Sequence, residues 1–572
     1  MLKPQASRST SKTSSHLKTE LEPELLRAVP LHRALAGWGR HWETPDSGMF
    51  NVDPKNYKLS QPSESLDVFL SHDWASSGKQ KFLALLIVYN SRAAFLACLV
   101  VSVLVGVLRG YSVLPDEGWT VVLGHGAYVL FLVFWQRLRA FVYRPVMAFL
   151  DKLCVAQHDE ELKQKGIKGI AAFLLSSRQL MVLLTPRYFT RLWCVLEIAT
   201  FMKDPGRQRS IHFMPLKTAA LLLMTSGCWF VLAIGWNLFL SGVARPAGLE
   251  PLESGEVWSR ALILTGLMVL LTGAVLPFAL YLGMALVADL ERIPRQLANF
   301  RVEDADCFCC SNNHRHPHDG SRLPCDRQLV HNTLKQWYND VESTADHLET
   351  FSRLVREELA PNIALLVGGI TLPLYYAVLT VGASNLPYLA DHIALWIATV
   401  RAGVSGYALL VWTLRRVVDW GTVPLASMLS VWISPPVWKA GLRLRNRWCA
   451  VAVAQSVVVF VVAMVWAPLQ TVLGLTQDDD LLPVAVFLFW LALILALHSP
   501  KCGKKVLAWA LGDKPCDPMQ KAPIAAKDDS AVETTLEAKT ANAEEDMGQT
   551  AATQEKLAKA DESMLSEEIF ST

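Results

Sequence analysis

Charge is scarce in this chain. Asp, Glu, Lys and Arg make up 19% of its 572 residues, below the roughly 25% usual for soluble domains. Its net charge of +2 says nothing for nucleic acid or acidic substrates, and no nucleic-acid partner is expected. No apolar signal segment opens the chain, because residues 1–60 are polar and rich in Ser, Lys and Pro. A Walker loop, a kinase motif set and a GxSxG elbow are all lacking, which removes the commonest phosphoryl- and acyl-transfer signatures. The eleven cysteines are scattered rather than regularly spaced, so a disulfide framework is not indicated.

Long apolar runs are what the chain has instead. Eight approach the roughly 20 residues that a helix needs to cross a bilayer core. They fall in pairs at 93–107 and 119–135, 218–240 and 261–287, 363–381 and 393–414, and 450–472 and 481–497. These give expected transmembrane hairpins at 93–136, 217–289, 361–418 and 448–498 and make the lipid bilayer the first partner. A shorter run at 423–438 carries Pro424, Pro435 and Pro436 and reads as interfacial or re-entrant, within a connecting segment 419–447. Basic residues follow the second helix of each pair, among them Arg137, Arg139, Arg292, Arg295, Arg415, Arg416 and Lys501, whereas Asp116, Glu117, Glu250 and Asp478–Asp480 lie inside the pairs. By the positive-inside rule this puts both termini in the cytosol of a multi-pass integral membrane protein. Residues 1–64 and 499–572 read as disordered cytosolic segments. Arg401, within the sixth run, would be a costly charge at membrane depth and therefore a functional candidate.

Two soluble stretches, 65–92 and 144–216, flank the first hairpin. SLDVFLSHDW alternates into a buried strand that stops at a polar turn, and 79–90 has helical spacing. AFLDKLCV reads as a short strand, DEELKQKG as an exposed loop, IKGIAAFLLSS as a helix and QLMVLLT as a strand. RYFTRLWCVLEIATFM then reads as a helix and IHFMPL as one more strand. Strands alternating with helices predict a parallel α/β sheet with its site beyond the carboxyl ends of the strands.

These stretches resemble a TIR domain, the Toll/interleukin-1 receptor module of flavodoxin-like fold. DVFLSHDW is similar to the family's first strand, FLDKLCVAQHDEELKQKGI to its second strand and loop, and SSRQLMVLLTPRYFTRLWCVLEIATF to its third strand and W-C-x-x-E helix. The resemblance covers about a hundred residues, split by the first hairpin. It implies that Glu197 is the catalytic carboxylate of an NAD+ hydrolase releasing nicotinamide and ADP-ribose products. Ser71, His72, Asp73, Trp74 and Trp193 would then shape the nucleotide pocket, with NAD+ as substrate and no cofactor required. It equally implies homotypic TIR association or a homo-oligomer, through a surface around 159–166. The residues alone leave Glu197 open to a plain pairing with Arg191, and Trp193 to core packing. H-D-W-A-S-S-G departs from the family's usual first-box continuation, which puts the substrate contacts in question. The membrane helix from Thr218 leaves no room for a fifth strand, so the domain is either truncated or completed from elsewhere.

Segment 290–360 adds Cys307, Cys309, Cys310, His314, His316, His318 and Cys325 within about twenty residues. Thiolates and imidazoles together suit tetrahedral Zn2+, and a structural zinc is the expectation; the alternative is a polar loop with reduced cysteines. The expected fold is thus an α-helical multi-pass bundle with a split cytosolic α/β domain. Its expected task is signalling at a membrane, by NAD+ cleavage or by TIR assembly. A channel or transporter with a regulatory α/β segment is the reading from a third class.

Overall fold

The computed structural model describes residues 20–43, 53–115, 119–203, 210–243, parts of 273–290, 291–315, 320–338 without 321, 346–367, 373–444, 447–477 and 479–499. Among these, six strands form one mixed sheet: β1 (Arg27–Pro30), β2 (Gln61–Pro62), β3 (Leu66–His72), β4 (Met147–Phe149), β5 (Ser177–Leu184) and β6 (Ile211–Pro215), in the order β2-β1-β4-β3-β5-β6. The strands β4, β3, β5 and β6 are parallel. The first parallel strand in the chain, β3, therefore lies between the second and third, which is the doubly wound order with its switch point between β3 and β5. Leu66, Val68, Leu70 and Phe69 are all buried on β3, as expected of a parallel strand covered on both faces.

The helix that follows β3 is also the first membrane helix. Gly78–Gly110 runs unbroken for 33 residues, about 50 Å at 1.5 Å per residue. Its first turns bury Phe82, Leu85 and Leu86 against the sheet. The remainder exceeds the roughly 30 Å of a bilayer core, so the α/β unit and the first span share one rigid rod.

Three readings of the soluble segments are corrected. Residues 20–43 and 53–64 are structured rather than disordered: β1 pairs antiparallel with β4 and carries β2 on its other side. Trp42 is wholly buried there, its indole N–H donating to the Ala34 carbonyl at 3.0 Å. A short apolar patch diluted by polar neighbours conceals this, because it packs only on a sheet formed by distant residues. The sheet is thus extended at the edge opposite the one where a fifth strand was missing. Residues 160–168 form a helix rather than a loop, capped by the Asp159 carboxylate accepting from Leu162 N–H at 3.0 Å. The AFLDKLCV strand shrinks to three residues, since Asp151–Cys154 turns helical.

Among the described residues, five helices are long and apolar enough to cross a membrane: Gly78–Gly110, Thr120–Val142, Leu216–Gly235, Gly406–Gly441 and Trp448–Leu473. Their outward residues are apolar too, with Val100 and Phe460 each 64% exposed, which fits a lipid-facing surface rather than an aqueous one. Eight spans are therefore not found among the described residues. Leu482–His498 is apolar but only 17 residues long, and most of 261–287 lies outside the described residues. The sixth run is divided, because the helix Leu389–Arg401 ends before Gly403 at φ +89° and a new helix starts at Gly406. The 423–438 run is part of that new 36-residue helix, which contains all three prolines. Arg401 accordingly sits at a helix end, its guanidinium donating to the Gly110 carbonyl at 3.4 Å. The 499–572 tail, apart from residue 499, lies outside the described residues.

Charge pattern also misjudges one pair of neighbours. Arg415, read as following the sixth span, donates to Thr476 Oγ1 at 2.8 Å and to the Leu473 and Asp480 carbonyls at 2.9 and 3.0 Å. It caps the end of the helix Arg447–Leu475 and lies beside the 476–480 segment that the same pattern puts on the opposite side.

Helix Leu389–Arg401 packs on the far end of the first rod through glycine. A Cβ at Gly106 would meet the Ala390 carbonyl oxygen at 2.9 Å and Ile393 Cβ at 2.8 Å, whereas one at Gly126 would meet nothing within 4 Å. Gly106→Ala is expected to cost about 1 to 3 kcal/mol through overpacking and to lower the melting temperature of the detergent-solubilised protein. Gly126→Ala should be neutral or slightly stabilising. Equal melting of the two variants would refute this packing.

Candidate functional site

At the switch point the chain leaves β3 through Ser71, His72 and Asp73 and leaves β5 into Thr185–Arg191, then into the helix Leu192–Met202. This brings Ser71 and Glu197 together, 126 positions apart. The Ser71 hydroxyl donates to Glu197 Oε2 and shares a hydrogen bond with the Tyr188 hydroxyl. Tyr188 OH also lies 3.4 Å from the Cys194 carbonyl, so the first turn of the Glu197 helix is tied to the end of β3 through one tyrosine. Cys194 adds a second tie, its Sγ 3.5 Å from the His72 carbonyl.

Glu197 is a half-buried residue whose carboxyl is enclosed by protein. Burial pushes its pKa up to about 8, Asp151 adds to the shift, and the Ser71 hydrogen bond opposes it. Burial also raises Tyr188 well above the usual phenol range. Near neutral pH the trio is therefore largely uncharged. A carboxyl held poised near neutrality, with two hydroxyls beside it, suits proton transfer, and its ionised form suits stabilisation of a developing cation.

The other expected pocket residues divide. Asp73 is 2% exposed, and its carboxylate receives Ala75 N–H at 3.2 Å and lies 3.9 Å from both Arg187 Nε and Arg191 Nε. Arg191 thus faces Asp73, and the Glu197–Arg191 pairing held open above is not among the ion pairs of the described residues. His72 packs edge-on against Trp42 and Trp74, with ring centroids at 5.1 and 4.4 Å. Burial lowers its pKa well below the usual imidazole value, so it is neutral and belongs to the core. Trp74 donates its indole N–H to Asp151 at 2.7 Å, under Lys81 and Lys152, whose ammonium groups lie 5.1 and 5.7 Å from its ring. Trp193 donates its indole N–H to Asp326 at 3.2 Å. The one-turn spacing to Glu197 does not make them partners.

The Cys/His segment converges as well, but on a subset. One donor atom each from Cys309, Cys310, His314 and Cys325 lies within 4.8 Å of the others, and Cys307, Cys309 and Asp326 form a second such group. Cysteines 307, 309, 310 and 325 are all free thiols. His316 and His318 lie outside the described residues.

Comparison with protein-family models, with curated proteins and with solved structures gives no match for the chain.

The sequence patterns do not single out Tyr188, Asp151 or Arg187, and they offer Arg191 only as a partner for Glu197. Asp151 stands inside the quoted FLDKL stretch and Tyr188 inside PRYFT. Neither has a periodic signature, because each matters through contacts with residues distant in sequence, Asp151 with Trp74 and Tyr188 with Ser71.

Proposed function

We propose that the α/β unit is a TIR-type NAD+ glycohydrolase held at a membrane, with Glu197 as its catalytic carboxylate. The observation that carries the reading is the Ser71–Glu197–Tyr188 cluster at the β3/β5 switch point, where doubly wound folds bind nucleotides. The parallel order β4-β3-β5-β6 supports the same reading. In the reaction the C1′–N bond of the nicotinamide riboside breaks and its electron pair leaves with the nicotinamide nitrogen, neutralising the ring. The ribosyl cation left behind is stabilised by ionised Glu197, as carboxylates do in glycoside cleavage. Water then forms the new C1′–O bond and gives up a proton. Ser71 and Tyr188 orient the carboxylate, and Arg187 and Arg191 offer cationic groups near the site for a pyrophosphate.

Purified full-length protein in detergent should release nicotinamide from NAD+ in equal amount to ADP-ribose products. Because the free carboxyl ionises near pH 8, kcat/KM should climb with pH and level off above about 8. No turnover at any pH from 6 to 9, under conditions that favour assembly, would sink the enzyme reading.

The second reading is association without catalysis. It rests on the half-buried helix Glu160–Lys168, whose Glu160–Lys163 and Glu161–Lys165 pairs form a charged outer face. Homotypic association that persists without NAD+ turnover would favour it.

A further inference from the structure

We propose that Cys309, Cys310, His314 and Cys325 bind one structural Zn2+, and that this site fastens the Cys/His segment to the start of the Glu197 helix. The sulfur spacing carries the first half. Two thiolates on one tetrahedral zinc, each at about 2.3 Å, stand about 3.8 Å apart. Cys309 and Cys310 sulfurs lie 3.9 Å apart, and those of Cys310 and Cys325 4.0 Å. His314 completes a Cys3His donor set within the same 4.8 Å.

The backbone is shaped around that set. Asn313 and His314 both adopt left-handed conformations, at φ 52° and 55°, a cost that ordinary residues seldom bear twice in succession. That turn is closed by His314 N–H donating to the Cys309 carbonyl at 2.7 Å and by Leu323 N–H donating to the His314 carbonyl at 2.8 Å. Asp326 N–H donates to Cys309 Sγ at 3.3 Å, the kind of outer hydrogen bond that holds a ligating thiolate. Cys307 is excluded from the set. Its sulfur lies 3.1 Å from that of Cys309, too close for a tetrahedral edge and too far for a disulfide.

The second half rests on what the cluster touches. Asp306 bridges the chain at Thr190–Leu192 in parallel, donating to the Thr190 carbonyl at 2.5 Å and accepting from Leu192 N–H at 3.1 Å. Asp326, next to Cys325, accepts from the Trp193 indole. Farther along, Tyr338 OH donates to the Ala199 carbonyl at 2.5 Å. The metal loop thus holds the start of Glu197's helix at Thr190–Trp193, and the helix that follows the loop reaches Ala199 through Tyr338. This inference stands whether or not the NAD+ reaction does, because none of its observations involves substrate.

The test is zinc content of the full-length protein purified in detergent without chelator, with hydrogen exchange read across residues 188–200. One zinc per chain is expected in the wild type and in Cys307→Ser, with loss in Cys310→Ser and in Cys325→Ser. Co2+ loaded in place of zinc should give the absorption of a tetrahedral thiolate site, which reports ligation even where a variant folds poorly. Stripping the zinc should speed exchange at 190–200 while leaving the core of β3 unchanged. A zinc-free wild type that also takes up no Co2+ overturns the site, as does Cys307→Ser losing metal like Cys310→Ser. Zinc removal without faster exchange at 190–200 overturns the fastening.

Discussion

Glu197→Gln is expected to abolish nicotinamide release, lowering kcat by on the order of 10²- to 10³-fold, the usual scale for removing one charge-stabilising group. The substitution preserves size and lets the amide oxygen accept from Ser71, so the hydrogen bond that positions the side chain survives. What disappears is the negative charge that a ribosyl cation needs. The pH dependence should disappear with it, since the ionisation near pH 8 belongs to this carboxyl. Mass spectrometry of NAD+, nicotinamide and ADP-ribose products checks the result. Equal turnover by wild type and variant would remove Glu197 from the chemistry and leave association as the function.

The same variant should be more stable than the wild type above about pH 4.5, with the gain growing up to about pH 8. Glu197's pKa is raised from 4.5 to about 8 by burial, so the fold prefers the neutral acid. Below about pH 4.5 the carboxyl is protonated folded or unfolded, and it costs nothing. Between 4.5 and 8 the unfolded chain gives up its proton while the folded one keeps it, and stability declines as pH rises. Above 8 the penalty is constant. At about 1.4 kcal/mol per pH unit, the span from 4.5 to about 8 sets an upper bound near 5 kcal/mol. Because Glu197 is only half-buried, the expected gain in Glu197→Gln is about 2 to 3 kcal/mol above pH 8. Melting curves of both proteins at pH 4.5 and pH 8.5 decide it: coincidence at the low pH and a higher midpoint for the variant at the high one. A variant less stable at pH 8.5 would mean the carboxylate is structurally required there. Lower activity with higher stability is the trade expected of a group kept for chemistry.

Both results turn on a residue that the sequence picked out by resemblance alone. Tertiary contacts supplied the physical grounds, by setting the carboxyl against Ser71 and Tyr188. Trp193 shows the limit of helical spacing as an argument. One turn apart on a helix, Trp193 and Glu197 face different neighbours, because Asp326 competes for the indole. In the cysteine segment, composition named seven possible ligands, but only sulfur-to-sulfur distance separates Cys307 from the rest.

Local patterning by itself determined the apolar helices and the alternation of strand and helix from β3 to β6, because hydrophobic period and run length are properties of neighbouring residues. It could not determine how many apolar runs make full spans. Gly403 and Gly406 divide one run, while Pro424, Pro435 and Pro436 are absorbed into a single long helix. Nor could it show that β1 and β2 complete the sheet, since β1 gains its value only from the β4 edge it covers. The meeting of Ser71 with Glu197, and of Thr190 with Asp306, likewise belongs to the tertiary structure. Those contacts join residues more than a hundred positions apart, and no local pattern encodes such pairs; only the packed sheet and the helices around it bring them together.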